Sequence, residues 1–98
     1  MIKSVLIVYN QALTEKIEYV LDILNIRGYT KWENVQGRGS VNGDPRLGTH
    51  TWPEMNSATL AIVEHTVVEG LLEKIQHLNA INEEVGVRAF IWSIEKSI

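Results

Sequence analysis

The sequence lacks cysteine altogether, and this absence removes several kinds of chemistry. Disulfides, thiolate metal ligands and cysteine nucleophiles are all excluded. Basic residues are also few: 9 Lys and Arg stand against 12 Asp and Glu, and they are scattered singly along the chain. Nucleic-acid binding requires a clustered basic surface, so we exclude that class of partner.

Long hydrophobic runs are also missing. The apolar run Val5 to Tyr9 is too short for a signal-peptide core, and no segment reaches the roughly 20 apolar residues that a membrane-spanning helix requires. Hydrophobic residues make up 45% and charged residues 21% of the chain, which is typical of a globular domain. We therefore expect a single cytoplasmic domain over residues 1–98, with no direct insertion into a membrane.

Apolar periodicity predicts four strands and two helices. In chain order, the predicted elements are a strand at Val5 to Tyr9, a helix from about Ala12, a strand at Tyr29 to Val35, a strand at Ser57 to Val63, a helix with a capping box at Thr66, and a strand at Val85 to Ile94. Asn25 is expected to close the first helix in the left-handed conformation. The β-α-β-β-α-β order predicts an α+β, ferredoxin-like sandwich with a long loop between strands 2 and 3.

The strands are apolar on more faces than two helices can cover. In the last strand, Val87, Ala89 and Ile91 alternate with Phe90 and Trp92, so both faces carry apolar side chains. Two helices cover one face of a four-stranded sheet, and the other face must be buried by something else. The pattern predicts a homo-oligomer with sheets that face each other, and it leaves the copy number open.

The long loop is a candidate site. Residues 35–58 hold both prolines and four of the seven glycines, and they show no helical or strand periodicity. Structureless connections of about twenty residues are uncommon in compact domains and are usually functional or disordered. Gly37, Gly39 and Gly43 permit positive φ, and successive amides in such a turn can form an anion-binding nest. The alternative is a plain glycine-rich β-turn.

The distal half of the loop offers two further possibilities. His50 and Glu54 are candidate ligands for a divalent cation, with a solvated surface histidine as the alternative. Trp52 before Pro53 is typical of an interface anchor, with packing onto its own subunit as the alternative. No combination of nucleophile, base and orienting group emerges from the chain, so an enzyme is not predicted.

The order of elements and several short motifs resemble the P-II signal-transduction family over nearly the whole chain. A second strand leads through a Gly-x-Gly turn at residues 37–39 into a long exposed loop. The last strand carries Arg88 followed by Phe90 and Trp92, which resembles the family's basic residue before Phe-Val-Phe. The segment of about 37–56 corresponds to the family's flexible T-loop.

This resemblance implies a homotrimeric sensor, not an enzyme. It implies that nucleotides lie in clefts between subunits and that the T-loop acts on a protein partner, including membrane transporters. The anion- or nucleotide-binding residues implied in this sequence are Gly37, Arg38, Gly39, Ser40 and Arg88. The partner-binding residues implied in the loop are Arg46, Thr49, Trp52 and Pro53.

Three departures from the family pattern indicate a divergent branch. Residues 40–42 are Ser-Val-Asn where the family has Arg-Gln-Lys, and residues 82–86 are acidic where the family has a glycine-rich turn. No tyrosine occurs between Gln36 and Asn56, so uridylylation of the usual loop tyrosine is excluded. These losses argue against ordinary ATP binding and leave the ligand open between an adenine nucleotide and a divalent metal.

Two alternative functions remain at this point. The first is a divalent-cation-binding protein of the cation-tolerance type, which shares the trimeric ferredoxin-like plan and would use His50 and Glu54. The second is a small dimeric ferredoxin-like enzyme that holds a ligand in the sheet cavity, where Tyr9, Arg88 and Trp92 would supply the polar groups.

Overall fold

A computed structural model describes residues 1–38, 43–81 and 86–98. In chain order, its elements are β1 (Ile2–Asn10), a 3-10 turn (Gln11–Leu13) that runs into α1 (Thr14–Ile23), β2 (Tyr29–Val35), β3 (Asn56–Glu64), α2 (His65–Ile81) and β4 (Val87–Ser93). The predicted ferredoxin-like order is confirmed. No helix within the described residues is long and apolar enough to cross a membrane.

The four strands form one antiparallel sheet in the order β2-β3-β1-β4. The first strand is therefore central: Val5 lies opposite Ala61 of β3 on one side and opposite Ile91 of β4 on the other. The long loop leaves β2 and enters β3 at the end of the sheet where β1 finishes. This topology places the loop, the last residue of β1 and the first residues of β3 and β4 close together.

The core lies between the sheet and the two helices. Val5, Ile7 and Tyr9 alternate along β1 and are fully buried. They pack in one apolar cluster with residues from both helices, β3 and β4, among them Ile17, Leu21, Ala61, Val63, Leu71, Ile75 and Val87. The apolar residues that recur at helical spacing from Leu13 onward face this core: Leu13, Ile17, Val20 and Leu21 are buried, and Leu24 packs against the cluster while partly exposed.

Helix α1 ends in the left-handed turn that Asn25 predicts. Asn25 has φ 58°, its amide donates to Asp22 O at 3.0 Å, and the amide of Ile26 donates to Leu21 O at 2.8 Å. These two bonds satisfy carbonyls that a helix end leaves unpaired, and together they define a Schellman motif. Ile26 is 7% exposed and packs in the core cluster, so the motif also fixes the direction in which the chain leaves for β2.

Two details differ from the sequence-based expectation. Helix α2 begins at His65, so Thr66 lies inside the helix and is not the residue that caps it. Strand β2 contains an irregularity: Trp32 pairs with Ala58 but Val35 pairs with Asn56, so β2 has one residue more than β3 between the two pairs. Asn34 has φ 58° within this bulge, which turns the strand as it enters the loop.

Candidate functional site

The base of the long loop is a short antiparallel pair. Gly37 N donates to Arg46 O at 2.9 Å, and Arg46 N donates to Gly37 O at 2.6 Å. Gln36 Nε2 also donates to Leu47 O at 3.0 Å. The connection therefore contains more main-chain pairing than its lack of periodicity predicts, because single bridges of this kind leave no repeating apolar pattern in the sequence.

The side chain of Arg46 crosses from the loop to the end of the sheet. Its Nη1 donates to Asn56 Oδ1 at 2.8 Å, and Nη2 lies 3.3 Å from the position that a β-carbon on Gly86 would take. Gly86 has φ 66°, a conformation that favours glycine. A β-carbon on Gly37 would lie 2.9 Å from Asn56 Nδ2. The two glycines therefore make room for the arginine and the amide.

Two buried amides lie side by side beneath this junction. Asn10, the last residue of β1, lies directly opposite Asn56, the first of β3, and they are 3% and 4% exposed. Asn10 Oδ1 accepts from Ala12 N at 2.9 Å, but Asn10 Nδ2 has no hydrogen-bond partner within the described part of the chain. An unpaired buried donor costs about 1–3 kcal/mol, so a donor kept in this state is a candidate ligand contact.

Some of the predicted ligand residues lie at or near this junction. Val8 lies opposite Arg88 and is two residues from Asn10 on β1, so Arg88 lies on the same sheet face, about 7 Å along the strand direction. Arg38 is exposed beside Gly37. Gly39 and Ser40 lie outside the described residues. The junction thus combines Gly37 and Arg46 with polar groups at the ends of three strands, and its cationic side chains suit a small oxyanion.

Asn56, Asn10 and Gly86 are contributors that the sequence-based reasoning did not identify. A polar amide at the last position of one strand and at the first of another is the signal that was available, because both strands are otherwise strongly apolar. Arg46 was assigned only to partner binding, whereas its guanidinium lies at the end of the sheet. The pairing of Asn10 with Asn56 depends on strand register, which the sequence does not fix without the turn geometry.

The distal loop forms a second small turn. Thr49 N donates to Trp52 O at 2.9 Å, and Trp52 N donates to Thr49 Oγ1 at 3.0 Å. Gly48 has φ 67° and its amide donates to Glu54 O at 3.2 Å. Trp52 is 38% exposed and Pro53 is exposed, so this turn presents an indole to the surroundings of the single chain.

The metal hypothesis gains no further ligand within residues 1–38, 43–81 and 86–98. His50 and Glu54 are both exposed on the distal turn. Among the residues that the structure describes, no group of three or more His, Asp or Glu side chains could hold a metal ion. A metal site at His50 and Glu54 stays a prediction that would require ligands from another copy.

The three residues that the enzyme alternative would use do not lie on one face of the sheet. Tyr9 points into the core beneath the helices, where its hydroxyl and the Thr59 hydroxyl share a hydrogen bond of 2.9 Å. Arg88 and Trp92 lie on the opposite face, since they are paired with Val8 and Ser4, whereas Tyr9 is paired with Val87. Alternate residues of a strand point to opposite faces, so these three side chains do not form one cavity.

The sheet face that the helices leave bare, here called the open face, is rich in large apolar side chains. Ile2, Trp32, Ile62, Phe90 and Trp92 lie on it, and each is between 39% and 52% exposed. Leu6, Val8 and Leu60 fill the middle of the same face and are partly exposed. A contiguous apolar surface of this kind marks an interaction site. The described part of the long loop leaves it uncovered.

Four antiparallel strands with two helices on one face define a small α+β domain of the ferredoxin-like class, with an open apolar sheet face and a cationic loop base. The sequence matches the model of the family described as "Nitrogen regulatory protein P-II" over residues 2–98, and the chain belongs to this family. Proteins of the family are signalling proteins and not enzymes, they are trimeric, and they interact with protein partners. No curated protein sequence matches the chain.

Solved structures of PII-like proteins share the fold. CPII from Thiomonas intermedia K12, bound to ADP, AMP and bicarbonate, is 24% identical with a TM-score of 0.73, and the match covers 99% of this chain and 96% of that one. A second CPII structure, bound to ADP and bicarbonate, is 25% identical with a TM-score of 0.73, over 93% and 83% of the two chains. A PII-like signaling protein from Thermus thermophilus is 23% identical with a TM-score of 0.67, over 93% and 84%.

Proposed function

We propose that the protein is a cytoplasmic, homotrimeric regulator that senses a small ligand at the base of its long loop and signals through that loop to a protein partner. The ligand class is an adenine nucleotide, a small oxyanion, or both. The partner class is a protein, with a membrane transporter as the first candidate. Membership of the P-II family supports the signalling role.

The observation that carries the proposal is the junction of Arg46 with the ends of three strands. The guanidinium donates a hydrogen bond to Asn56 Oδ1 and extends towards Gly86. Asn10 contributes a buried amide donor that has no hydrogen-bond partner within the described part of the chain. Arg38 and Arg88 add positive charge nearby. Arginine and amide donors are the groups that proteins use to hold phosphate and carboxylate oxygens.

The solved relatives supply candidate ligands. CPII from Thiomonas intermedia K12 has been solved with ADP, AMP and bicarbonate. These molecules share oxyanion groups, and two of them carry adenine. The family's arginine and lysine at residues 40–42 are replaced by Ser-Val-Asn here, so we favour ligands with fewer phosphates than ATP.

The open face supports the proposed assembly. Its aromatic and aliphatic side chains are half exposed in the single chain, and burial of apolar surface stabilises an assembly by about 25 cal/mol per Å². Three copies with their sheets facing inward would leave the loops at the subunit borders. This arrangement would also bring a second chain beside each Arg46 junction.

Calorimetry on the assembled protein with ADP, AMP and bicarbonate tests the ligand. We expect binding heat for at least one probe, and Arg88→Gln should weaken the binding of a phosphate-bearing probe by about tenfold or more because a charged hydrogen bond is lost. Arg27→Gln is the matched control, since Arg27 is exposed and contacts Asn25, away from the loop. If none of the three probes gives heat, the proposed sensing function is rejected.

Light scattering tests the assembly. The expected mass is three times the 11.1 kDa of the chain. A stable monomer at micromolar concentration would reject the trimer and, with it, a ligand cleft between subunits.

A further inference from the structure

A groove of about 840 Å³ separates the outer surfaces of α1 and α2. Apolar side chains from both helices line it: Tyr19, Val20 and Ile23 from α1, and Leu78 and Ile81 from α2. Tyr19 is 65%, Ile23 46% and Ile81 61% exposed, although such residues are usually buried. The sensing site proposed above uses none of them, so the groove requires an explanation of its own.

The apolar side chains follow helical spacing on both sides of the groove. Tyr19 and Ile23 are four residues apart on α1, and Leu78 and Ile81 are three apart on α2, so each helix presents a stripe to the groove. Two neighbouring stripes of this kind can receive the apolar face of a third helix, which packs ridges into grooves.

Gly70 keeps the floor of the groove open. It lies inside α2, where glycine is less favourable than alanine. A β-carbon at this position would lie 3.6 Å from Leu24 Cδ2, which is an ordinary van der Waals distance, so packing within the chain does not require glycine. The missing side chain lets another backbone approach α2 closely.

The helices carry the net charge of the chain. Helix α1 contains three acidic residues and one lysine, and α2 contains two acidic residues and one lysine, so their net charges are −2 and −1. Together they account for the formal net charge of −3 of the whole chain, and the remaining segments are balanced. An occupant with excess positive charge is therefore favoured on this surface.

The carboxylates around the groove are available to such an occupant. Glu15 and Glu73 line the groove, and Asp22 and Glu69 lie beside it on the same helices. All four are exposed, and none takes part in an ion pair within residues 1–38, 43–81 and 86–98. Two cationic side chains also line the groove, and the four carboxylates outnumber them: Lys16 and Lys74.

We propose that the groove between α1 and α2 is a docking site for a basic amphipathic helix of a partner protein. The apolar face of that helix packs between the two stripes, and its lysines or arginines lie against the flanking carboxylates. The groove lies on the opposite side of the domain from the open face, so association through the open face leaves it accessible. This contact is separate from the long loop and from the sensing site.

Fluorescence anisotropy with a labelled synthetic peptide tests the docking site on the assembled full chain. The probe is an amphipathic helix of about 18 residues built from Leu, Ala and Lys, which matches the length of α2. Two comparison peptides have Glu in place of Lys, or the same residues in scrambled order. We expect saturable binding of the Lys peptide in the micromolar range, about tenfold or more tighter than either comparison peptide.

Charge reversal at the groove tests the electrostatic part. The double variant Glu15→Lys, Glu73→Lys should bind the Lys peptide about tenfold more weakly, because two attractions become repulsions. Glu95→Lys is the matched control, since Glu95 is exposed beyond β4, outside both helices. It should keep the wild-type affinity.

Two further variants test the apolar part. Ile23→Gln, Ile81→Gln should weaken binding by about tenfold or more, whereas Ile98→Gln, at the exposed chain end, should not. Gly70→Leu places a side chain on the groove floor and should also weaken binding, with a melting temperature no lower than that of the wild type because leucine favours the helix. Circular dichroism and light scattering verify that each variant is folded and assembled.

Three results would overturn the docking site. One is the absence of saturable binding by the Lys peptide, and another is equal binding by the Glu peptide or the scrambled peptide. The third is wild-type affinity in folded groove variants, which would place the peptide elsewhere on the protein. Calorimetry with ADP, AMP and bicarbonate measures the sensing function independently, so its outcome and that of the docking site are distinguishable.

Discussion

The two faces of the sheet are built from alternate residues of the same strands, yet they differ in what covers them. On the helix-covered face, Val5, Ile7 and Tyr9 are fully buried within the single chain. On the open face, Trp32, Phe90 and Trp92 are each about half exposed. The first face is covered by the chain's own helices, whereas the second is left exposed in the single chain.

The open face also changes character along its length. Its middle is apolar, but at the end beside the long loop the side chains become polar, with Asn10 opposite Asn56 and Arg88 one pair away. This difference corresponds to the division of surfaces that we propose: the helix-covered face gives stability, the middle of the open face gives assembly, and its polar end binds a ligand. Substitutions on each of these surfaces test this division.

The largest effect is expected where charge is placed on the open face. In the double variant Phe90→Asp, Trp92→Asp, two carboxylates would have to be buried in the proposed interface, at a cost of several kcal/mol per charge. We expect folded monomers, measured by light scattering together with circular dichroism. Tyr19→Asp is the control, because Tyr19 is 65% exposed on α1 and should leave the assembly unchanged. An assembly of wild-type mass in the double variant would contradict the role given to the open face.

A matched pair of isoleucines compares the two faces. Ile7 is 0% exposed beneath the helices, and Ile62 is 49% exposed on the open face. Ile7→Ala should lower the free energy of unfolding by about 2–5 kcal/mol at any protein concentration, because it leaves a cavity in the core. Ile62→Ala should mainly weaken the association of subunits, so the stability that it removes should vary with protein concentration. Urea unfolding at two concentrations distinguishes them, and equal, concentration-independent losses would be the contrary result.

A matched pair of glycines probes the polar end. A β-carbon on Gly37 would lie 2.9 Å from Asn56 Nδ2, whereas a β-carbon on Gly28 would have no heavy atom within 4 Å. Gly37→Ala should therefore destabilise the protein by about 1–3 kcal/mol, as overpacking does. Gly28→Ala should be neutral or slightly stabilising. Thermal unfolding measures both, and a neutral Gly37→Ala would mean that the Asn56 amide moves aside without cost.

The fold could be predicted because its signals are local and repeated. The apolar helix faces, the β-branched strands and the C-terminal Asn25 each reflect a single physical preference that the sequence displays directly. The exact start of α2 was not predictable from Thr66, because helix ends differ by a residue or two according to which local hydrogen bonds form. The bulge at Asn34 likewise depends on pairing with a strand that lies more than twenty residues away.

The candidate site was less accessible to sequence reasoning for a related reason. Its glycines and arginines could be identified from the loop composition, but Asn10 and Asn56 meet only through the register of β1 with β3. The Arg46 side chain extends to the vicinity of Gly86, which lies forty residues further along the chain. Contacts of this kind are set by the assembled sheet, and no local pattern indicates them.

The smallest effect is expected from titration of the helix-covered face. Burial raises the pKa of Tyr9 above its ordinary value of 10.0, while the hydrogen bond with Thr59 opposes this rise. Because the folded state holds the phenolic proton more tightly than the unfolded chain, this contribution to stability is fully present below about pH 10 and is lost as the pH rises further. The hydrogen bonds with Glu18 and Glu33 raise the pKa of Lys31, so its contribution to stability is likewise lost as the pH rises. In urea unfolding between pH 8 and pH 11, the free energy of unfolding should therefore fall less steeply with pH in Tyr9→Phe than in the wild type. Identical pH profiles would show that the Tyr9 phenol is not shielded from water by the helices.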